Sequence, residues 1–267
     1  MNPTSGYLKD NILLSIEIIK ALKNWHQYFL AYLALQKGEV LQLQLRNGIK
    51  FLTPIEPHTR GPWADIWVLK VYTPANFDIN EKDIVVDIGT HIGVFSIFAA
   101  LKSSQGKVYA YEPVRENFNF LNYNIKLNKL SNIIPFNLAV SGTKGSKKIF
   151  LTGHSETASL FGQPGQKFHS VKTIGLKDIF EDNNLRKINF LKIDCEGSEY
   201  DILFNTPKRY LSKIDRIAIE YHESPYTKYQ CQDLETFLRS HNFKIRVKTS
   251  RSPRGIRLGM LYAWREK

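Results

Sequence analysis

The chain has 267 residues, of which 43% are hydrophobic and 12% aromatic, and its formal net charge at pH 7 is +12. These values exclude a disordered or low-complexity chain and are typical of a globular protein with a sizeable core. The two cysteines, Cys195 and Cys231, are too few for a disulfide framework, and they indicate a reducing, cytoplasmic location.

Residues 1–37 are predicted to form a short disordered start followed by one long helix. Apolar residues recur at helical spacing through residues 12–35, and Glu17 and Lys20 interrupt them, which excludes a transmembrane span. We expect this helix to pack on the main domain or on a partner subunit, where it would be an oligomer contact. Peripheral contact with a membrane surface is the alternative, because Trp, Tyr and Lys suit a membrane interface.

Residues 39–53 are predicted to form a β-hairpin. Two alternating segments flank Asn47-Gly48, which is a strong hairpin turn signal. Three prolines between positions 54 and 62 predict a loop, and residues 65–72 allow either a helix or a strand.

Beyond residue 74, strand patterns alternate with helix patterns. The predicted strands of the main sheet are 84–88, 107–111, 133–137, 188–193, 214–221, 243–247 and 257–264. The predicted helices are 93–103, 114–128 and 231–241, and an extra pair of strands, 148–151 and 171–173, flanks a polar loop. The order predicts an α/β fold with a doubly wound, mostly parallel, seven-stranded sheet and an antiparallel last strand. We therefore divide the chain into an N-terminal helix and β-hairpin extension, 1–74, and a ligand-binding domain, 75–267.

The segment from Asp83 to Ser96 combines a strand, a glycine turn and the start of a helix. This order is half of a nucleotide-binding unit, in which glycines let the backbone approach the ligand closely. The spacing of Gly89 and Gly93 differs from the dinucleotide pattern G-x-G-x-x-G, and Asp87 would lie badly beside a pyrophosphate. S-adenosylmethionine (SAM) fits better because it has an amino group, a sulfonium and no phosphate. An NAD-dependent oxidoreductase is the alternative.

Two residues after the next strands are further cofactor candidates. Glu112 ends the second predicted strand, where an acid is expected to hydrogen-bond ribose hydroxyls. Ala139 follows the third strand, and its small side chain would let the flat adenine ring approach.

Acidic residues follow the fourth predicted strand, and a histidine follows the fifth. Asp194 and Glu196 are expected to bind the methionine end of the cofactor and to orient an acceptor hydroxyl. Glu199 is interpreted equally well as a helix cap or as a site residue. His222 is interpreted as a general base or as a histidine that satisfies loop carbonyls. The spacing of these residues matches no recognised metal-ligand pattern, so we predict no metal.

Several short motifs together resemble the FkbM-type SAM-dependent methyltransferases. They are Asp87-Ile-Gly-Thr-His-Ile-Gly93, Tyr111-Glu-Pro113, Asn137-Leu-Ala-Val-Ser141 and Leu191-Lys-Ile-Asp-Cys-Glu-Gly-Ser-Glu199. The chain departs from that family at Thr90-His91, where relatives usually carry Ala-Asn. The resemblance implies a class I, Rossmann-like methyltransferase domain that binds SAM.

The motifs and the strand ends together give a set of expected site residues, and the resemblance implies a reaction. The residues expected at the cofactor are Asp87, Gly89, Thr90, His91, Gly93, Glu112, Pro113, Ala139 and Asp194, and those expected to be catalytic are Asp194, Glu196 and His222. Members of the family mostly methylate hydroxyl groups on sugars and natural products, so we expect O-methylation of a glycan, lipid or small molecule. An RNA methyltransferase and a non-catalytic SAM-binding protein remain alternatives.

The last part of the chain is strongly basic. Six lysines and arginines lie between residues 244 and 257 with no acid among them, and the connection between the last two strands should border the ligand face. We therefore predict that Arg251, Arg254 and Arg257 bind an anionic acceptor. Few aromatic residues accompany them, so nucleic acid is not favoured.

Overall fold

The computed structural model describes residues 3–55, 61–151, 158–159, 168–223, 229–251 and 257–266. The elements that precede the main sheet are α1 (Pro3–Ala21), α2 (Trp25–Tyr32), β1 (Val40–Gln44), β2 (Lys50–Pro54), α3 (Gly61–Trp63) and a π-helical turn (Ala64–Val68). The sequence of residues 65–72 allowed either a helix or a strand, and the structure shows that its first residues are helical.

The prediction of one long N-terminal helix is wrong, because the helix breaks between α1 and α2. Leu22 is fully buried and forms an isolated β-bridge with Leu45, while the backbone N–H of Lys23 donates to Gln44 at 2.7 Å. Contact with the hairpin thus replaces helical hydrogen bonds at this point. Tertiary packing overrides a periodicity that continues across the break.

The rest of the chain forms two sheets and six further helices in the described residues. The strands are β3 (Ile84–Ile88), β4 (Lys107–Tyr111), β5 (Ile133–Phe136), β6 (Ala139–Ser141), β7 (Gly145–Leu151), β8 (Ala158–Ser159), β9 (Phe168–Gly175), β10 (Ile188–Ile193), β11 (Ile214–Glu223), β12 (Lys244–Arg251) and β13 (Arg257–Trp264). The helices are α4 (Val94–Lys102), α5 (Arg115–Leu127), α6 (Leu176–Asp182), α7 (Glu199–Phe204), α8 (Lys208–Leu211) and α9 (Cys231–Ser240).

The main sheet has seven strands in the order β12-β13-β11-β10-β3-β4-β5, and β13 is antiparallel to both of its neighbours. This confirms the predicted α/β class and the antiparallel last strand. β5, which contains Pro135, lies at the sheet edge, as expected for a strand that lacks one backbone donor. The predicted extra pair of strands is part of a separate four-stranded sheet, β6-β9-β7-β8.

β3 lies inside the main sheet, between β10 and β4, and is covered on both faces. Val85 and Val86 are fully buried, and they belong to different apolar clusters because successive side chains point to opposite faces. Residues of the N-terminal elements, among them Phe51 and Trp63, pack into the cluster that contains Val85. The N-terminal elements therefore share a core with the sheet, and the boundary at residue 74 stays a prediction.

Part of the N-terminal surface is apolar and exposed. Its large apolar residues are Ile12, Leu13, Ile16, Ile19, Trp25, Leu30, Leu33 and Leu35, each at least 36% exposed. No described helix is both long enough and apolar enough to cross a membrane. Whether residues 12–35 contact a partner subunit or a membrane surface stays a prediction.

Side-chain amides occupy both free edges of the β1-β2 hairpin. On the β2 side, Asn124 of α5 hydrogen-bonds the N–H and C=O of Leu52 at 2.7 and 3.0 Å. Four residues further along the helix, Asn128 does the same to Lys50 at 2.9 and 2.7 Å. On the β1 side, Asn24 accepts from the N–H of Gln44 at 2.9 Å and donates to the C=O of Gln42 at 2.8 Å. The hairpin is thus fixed to the rest of the protein through its backbone.

Candidate active site

The turn after β3 brings the backbone of two neighbouring strands into close contact. Gly89 has φ +74°, and a Cβ at this position would lie 1.6 Å from the carbonyl oxygen of Asp194. Gly93 has φ +91°, and its N–H donates to the carbonyl of Thr90 at 3.0 Å. Both glycines have the left-handed conformation that other residues adopt at a cost, so the turn depends on them.

A buried ion pair joins the ends of β3 and β10. Asp87 is fully buried and accepts a hydrogen bond from Ser96 at 2.6 Å, and its other oxygen lies 3.2 Å from Nζ of Lys192. The same Nζ donates to the carbonyl of Gly89 at 2.6 Å and lies 3.5 Å from Asp194. Burial opposes the charged lysine, but Asp87 and Asp194 outweigh it and raise the pKa of Lys192. Asp87 therefore anchors the glycine turn, and its direct contact with a cofactor stays a prediction.

Glu112, at the end of β4, holds the turns on either side of it. Its two oxygens accept from the backbone N–H groups of His91 at 2.8 Å and Val114 at 2.9 Å. Burial raises the pKa of Glu112 to about 7, and these two donors act in the opposite direction. The side chain of Asn117 also hydrogen-bonds this carboxylate. An ionised carboxylate has about four acceptor positions, so one remains for a ribose hydroxyl.

Thr90 and His91, where the turn departs from the family pattern, have different environments. Thr90 is buried, and its hydroxyl donates to the carbonyl of Asp87 at 3.1 Å. His91 has φ +54°, and its Nε2 is buried without a hydrogen-bond partner among the described residues. Burial, followed by the charge of Lys192, lowers the pKa of His91 to about 4, so its imidazole is neutral at pH 7. Its Nε2 is therefore available to a ligand.

One cavity collects most of the predicted cofactor residues. Its lining includes Gly89, His91, Glu112, Pro113, Ala139, Asp194 and Glu196, together with Ile88, Tyr111, Val114, Asn117, Val140, Ile149, Cys195 and Ser198. Three of these described lining residues carry carboxylates, and none is a lysine or an arginine. Such a lining suits the sulfonium and ammonium groups of SAM and disfavours a pyrophosphate. The residues present therefore fit SAM.

Asp194 and Glu196 form one wall of this cavity. The hydroxyl of Tyr72 lies 2.7 Å from Oδ2 of Asp194 and 2.9 Å from Oε2 of Glu220. Burial alone would raise the pKa of Asp194, but Lys192 and then His222 lower it. Glu196 has φ +53°, and burial raises its pKa to about 7. The two acids that were predicted from the sequence are thus adjacent, but the pKa of Asp194 is lowered and that of Glu196 is raised.

His222, on β11, lies between two carboxylates. Its Nδ1 is 3.2 Å from Oε1 of Glu199, which is fully buried, and its Nε2 is 3.6 Å from Oε2 of Glu196. Burial opposes the charged imidazole, but Glu199, Glu196 and Asp194 raise the pKa of His222 to about 10. Glu199 also accepts from the backbone N–H groups of Cys195 and Gly197. It therefore contributes both a cap to the turn and a partner for His222.

Ligand atoms of Asp194, Glu196 and His222 all lie within 4.8 Å of one another. This separation is compatible with a metal ion, although acidic groups commonly cluster without one. The prediction of a metal-free site is therefore untested.

The basic residues predicted to bind substrate are described only in part. Arg254 lies outside the described residues, while the backbones of Arg251 and Arg257 pair in register at the end of the β12-β13 ladder. Arg257 also pairs in register with Glu223, the residue after His222. The backbone thus brings this end of the β12-β13 pair to the same edge of the main sheet as the cavity. The role of the three arginines stays a prediction.

Two residues at the site were not predicted from the sequence. Lys192 lies within an apolar strand that is buried on both faces, and a lysine in such a strand is a detectable sign of a buried partner. Tyr72 gave no comparable signal, because an aromatic residue in an apolar segment is ordinarily part of the core.

Residues 87–245, more than half of the chain, match the family model described as the methyltransferase FkbM domain. The 31-O-demethyl-FK506 methyltransferase FkbM of Streptomyces tacrolimicus is 22% identical over 234 residues, covering 76% of this chain and 88% of the relative. The hexuronic acid methyltransferase AglP of Haloferax volcanii is 24% identical over 150 residues, covering 54% of this chain and 58% of the relative.

A solved structure shows the same fold. The crystal structure of a methyltransferase FkbM from Methylobacillus flagellatus superposes with a TM-score of 0.53 at 18% identity. The match covers 76% of this chain and 48% of the other, so this chain spans about half the length of that protein.

Proposed function

Because the chain belongs to the methyltransferase FkbM domain family and is therefore a SAM-dependent methyltransferase, we propose that it methylates a hydroxyl group on a glycan, lipid or small-molecule acceptor. The observation that carries the proposal is the placement of His222 beside the carboxylate-lined cavity. SAM supplies the activated methyl group when it is bound. The protein must bind SAM, align an acceptor oxygen with it and take up the proton of that oxygen.

The contacts of His222 suit it to receive that proton. When its Nδ1–H donates to Glu199, the lone pair of Nε2 is directed toward Glu196 and the cavity wall. A buried carboxylate that orients the imidazole in this way is a recurrent arrangement for a general base. The pKa of about 10 keeps His222 protonated at pH 7, and the negative charges beside it are the reason. Compensation of the charges on Glu196 and Asp194 by a bound cation would lower this pKa toward the range in which the imidazole accepts a proton, while the larger contribution of Glu199 would remain.

The acceptor class rests on the relatives and on charge. One relative is named for an O-linked methyl group and another for hexuronic acid, which is an acidic sugar. Arg251 and Arg257, at the end of the β12-β13 ladder beside β11, would favour an anionic acceptor. An acidic or phosphorylated glycan is therefore the first acceptor to test.

Transfer of radiolabelled methyl from SAM into separated cell fractions tests the proposal. We expect label in the glycan, lipid or small-molecule fraction. Label in RNA alone would overturn the acceptor class, and SAM binding without label in any fraction would favour a non-catalytic protein.

A histidine variant tests the assigned base. The rate with His222→Gln should fall by about 10²–10⁴-fold, the usual contribution of a positioned base. His26→Gln, at an exposed histidine of α2, is the matched control and should methylate at the wild-type rate. Equal rates for the two variants would remove His222 from the mechanism.

A further inference from the structure

Tyr72 reaches the site from outside the segment that matches the family. It precedes the matched residues 87–245 and comes shortly after the π-helical turn. The residue is only 5% exposed, yet its hydroxyl contacts two carboxylates, Oδ2 of Asp194 at 2.7 Å and Oε2 of Glu220 at 2.9 Å. The second carboxylate, Glu220, is two residues before His222 on β11.

Neighbouring groups fix the ring of Tyr72 in this position. It packs edge-on against Phe95, with ring centroids 5.4 Å apart, and Nζ of Lys192 lies 5.2 Å from its centroid. The preceding residue, Val71, is held at its carbonyl by the hydroxyl of Tyr262 and at its N–H by the carbonyl of Asp65. The phenol is therefore held from both sides, and its contacts with the carboxylates follow from the packing.

Counting protons assigns a hydrogen to one of the carboxylates. A phenol has one proton to donate, and an ionised carboxylate can only accept. The two short contacts of Tyr72 therefore require a second proton, carried by Asp194 or by Glu220.

The surrounding charges favour Glu220 as the carrier. Asp194 lies 3.5 Å from the ammonium of Lys192, which favours its ionised form, whereas no described lysine or arginine makes an ion pair with Glu220. Burial, followed by the charge of Asp194, raises the pKa of Glu220 to about 7. His222, Glu196, Lys192 and Tyr262 are the other titratable groups that act on this carboxyl or are acted on by it.

We propose that Tyr72 and Glu220 are positioning residues of the methyl-transfer site. Glu220, as a neutral carboxylic acid, donates to the hydroxyl of Tyr72, and Tyr72 donates to Asp194. These two hydrogen bonds form a hydrogen-bonded chain from Glu220 through Tyr72 to Asp194. It fixes one oxygen of Asp194 and leaves the other to the ligand in the cavity. The inference rests on the proposed function, because it assigns Asp194 to the binding of SAM.

Calorimetry of SAM binding tests this hydrogen-bonded chain and needs no methyl acceptor. Tyr72→Phe removes only the hydroxyl, and we expect SAM to bind it about tenfold more weakly than wild type, since the charge-assisted hydrogen bond that fixes Asp194 is lost. Glu220→Ala should weaken SAM binding to a similar extent. Glu220→Gln should restore most of that loss, because its amide N–H₂ can donate as the carboxylic acid does. Tyr123→Phe, at a tyrosine that is 48% exposed, is the matched control.

The outcomes separate this inference from the proposed function. If Tyr72→Phe binds SAM as wild type does, or if Glu220→Gln is as weak as Glu220→Ala, the hydrogen-bonded chain is refuted. Urea denaturation of each variant identifies any loss of SAM affinity that comes from unfolding. If the loss of affinity merely parallels a loss of unfolding free energy, that result also counts against the hydrogen-bonded chain. Wild-type protein that binds SAM but methylates no acceptor refutes the proposed function alone.

Discussion

Replacing Gly89 by alanine should disrupt both the stability of the protein and its cofactor site. The added Cβ would lie 1.6 Å from the carbonyl oxygen of Asp194, whereas ordinary contacts of a Cβ begin at 3.4 Å, so the strands must separate by about 2 Å. The obstacle is backbone, and no rotamer change can relieve it. The movement would also strain the hydrogen bond from the N–H of Asp194 to Ile88, now 3.1 Å.

Gly48→Ala is a matched control for this variant. Gly48 also has a positive φ, +93°, but a Cβ there would meet nothing within 4 Å. Both variants should lose about 1–2 kcal/mol of unfolding free energy, because an L-residue is disfavoured in the left-handed region. Only Gly89→Ala should lose a further 1–3 kcal/mol or so from overpacking and about 1 kcal/mol from the weakened hydrogen bond.

Urea denaturation and SAM calorimetry on the two variants measure these differences. Gly89→Ala should be less stable than Gly48→Ala by about 2–4 kcal/mol, the sum of its two additional costs. It should also bind SAM at least tenfold more weakly, whereas Gly48→Ala should bind it as wild type does. Equal stability of the two variants, with SAM affinity retained in both, would refute the close approach of β3 and β10 as the reason for the glycine.

Three further predictions concern the charged groups. Glu112→Gln should weaken SAM binding about tenfold by calorimetry, because its amide brings an N–H₂ group to one of two backbone N–H donors; unchanged affinity would contradict the assignment. The pKa of His222 is raised from 6.5 to about 10, so its stabilisation is complete below pH 6.5 and lost as the pH rises through 10. The difference in unfolding free energy between wild type and His222→Gln, measured by urea denaturation, should therefore shrink between pH 6 and pH 10.5. A difference that is independent of pH would contradict this. Replacing Arg251, Arg254 and Arg257 by Gln should raise the acceptor KM and leave SAM affinity intact. The rise in KM should fade at higher salt, because exposed charges are screened over about 10 Å at 0.1 M. An unchanged KM at low salt would exclude a role of these arginines in acceptor binding.

The sheet could be predicted because its signals are local. The apolar run of β3, the glycines after it and the helical spacing beyond occur within one short segment, and each feature has few interpretations. β13 was predicted with its observed bounds, 257–264, whereas β11 and β12 extend beyond their predicted ends. Those extensions pair with β13, so they depend on a partner strand that periodicity does not reveal.

The remaining features depend on contacts between distant residues. The break before α2 follows from the contact of Leu22 with Leu45, and the helical pattern itself continues through it. Tyr72 meets partners that are 122 and 148 residues away in the chain, so nothing near it in sequence marks its role. The residues predicted to bind the cofactor could be grouped from the sequence because they follow successive parallel strands, whose carboxyl ends the topology brings to one edge.

The asparagines on the hairpin edges have a consequence for how molecules of this protein meet one another. An open strand edge is a template on which a strand of another molecule can pair, and it is a common starting point for aggregation. Here Asn24 occupies one edge, while Asn124 and Asn128 occupy the other. Four residues of helix rise about 6.0 Å, close to the roughly 6.8 Å of two strand residues, so amides one helical turn apart can match the strand repeat. Together with the backbone N–H of Lys23, which donates to Gln44, these side chains close the hairpin edges to strand addition without a third strand among the described residues.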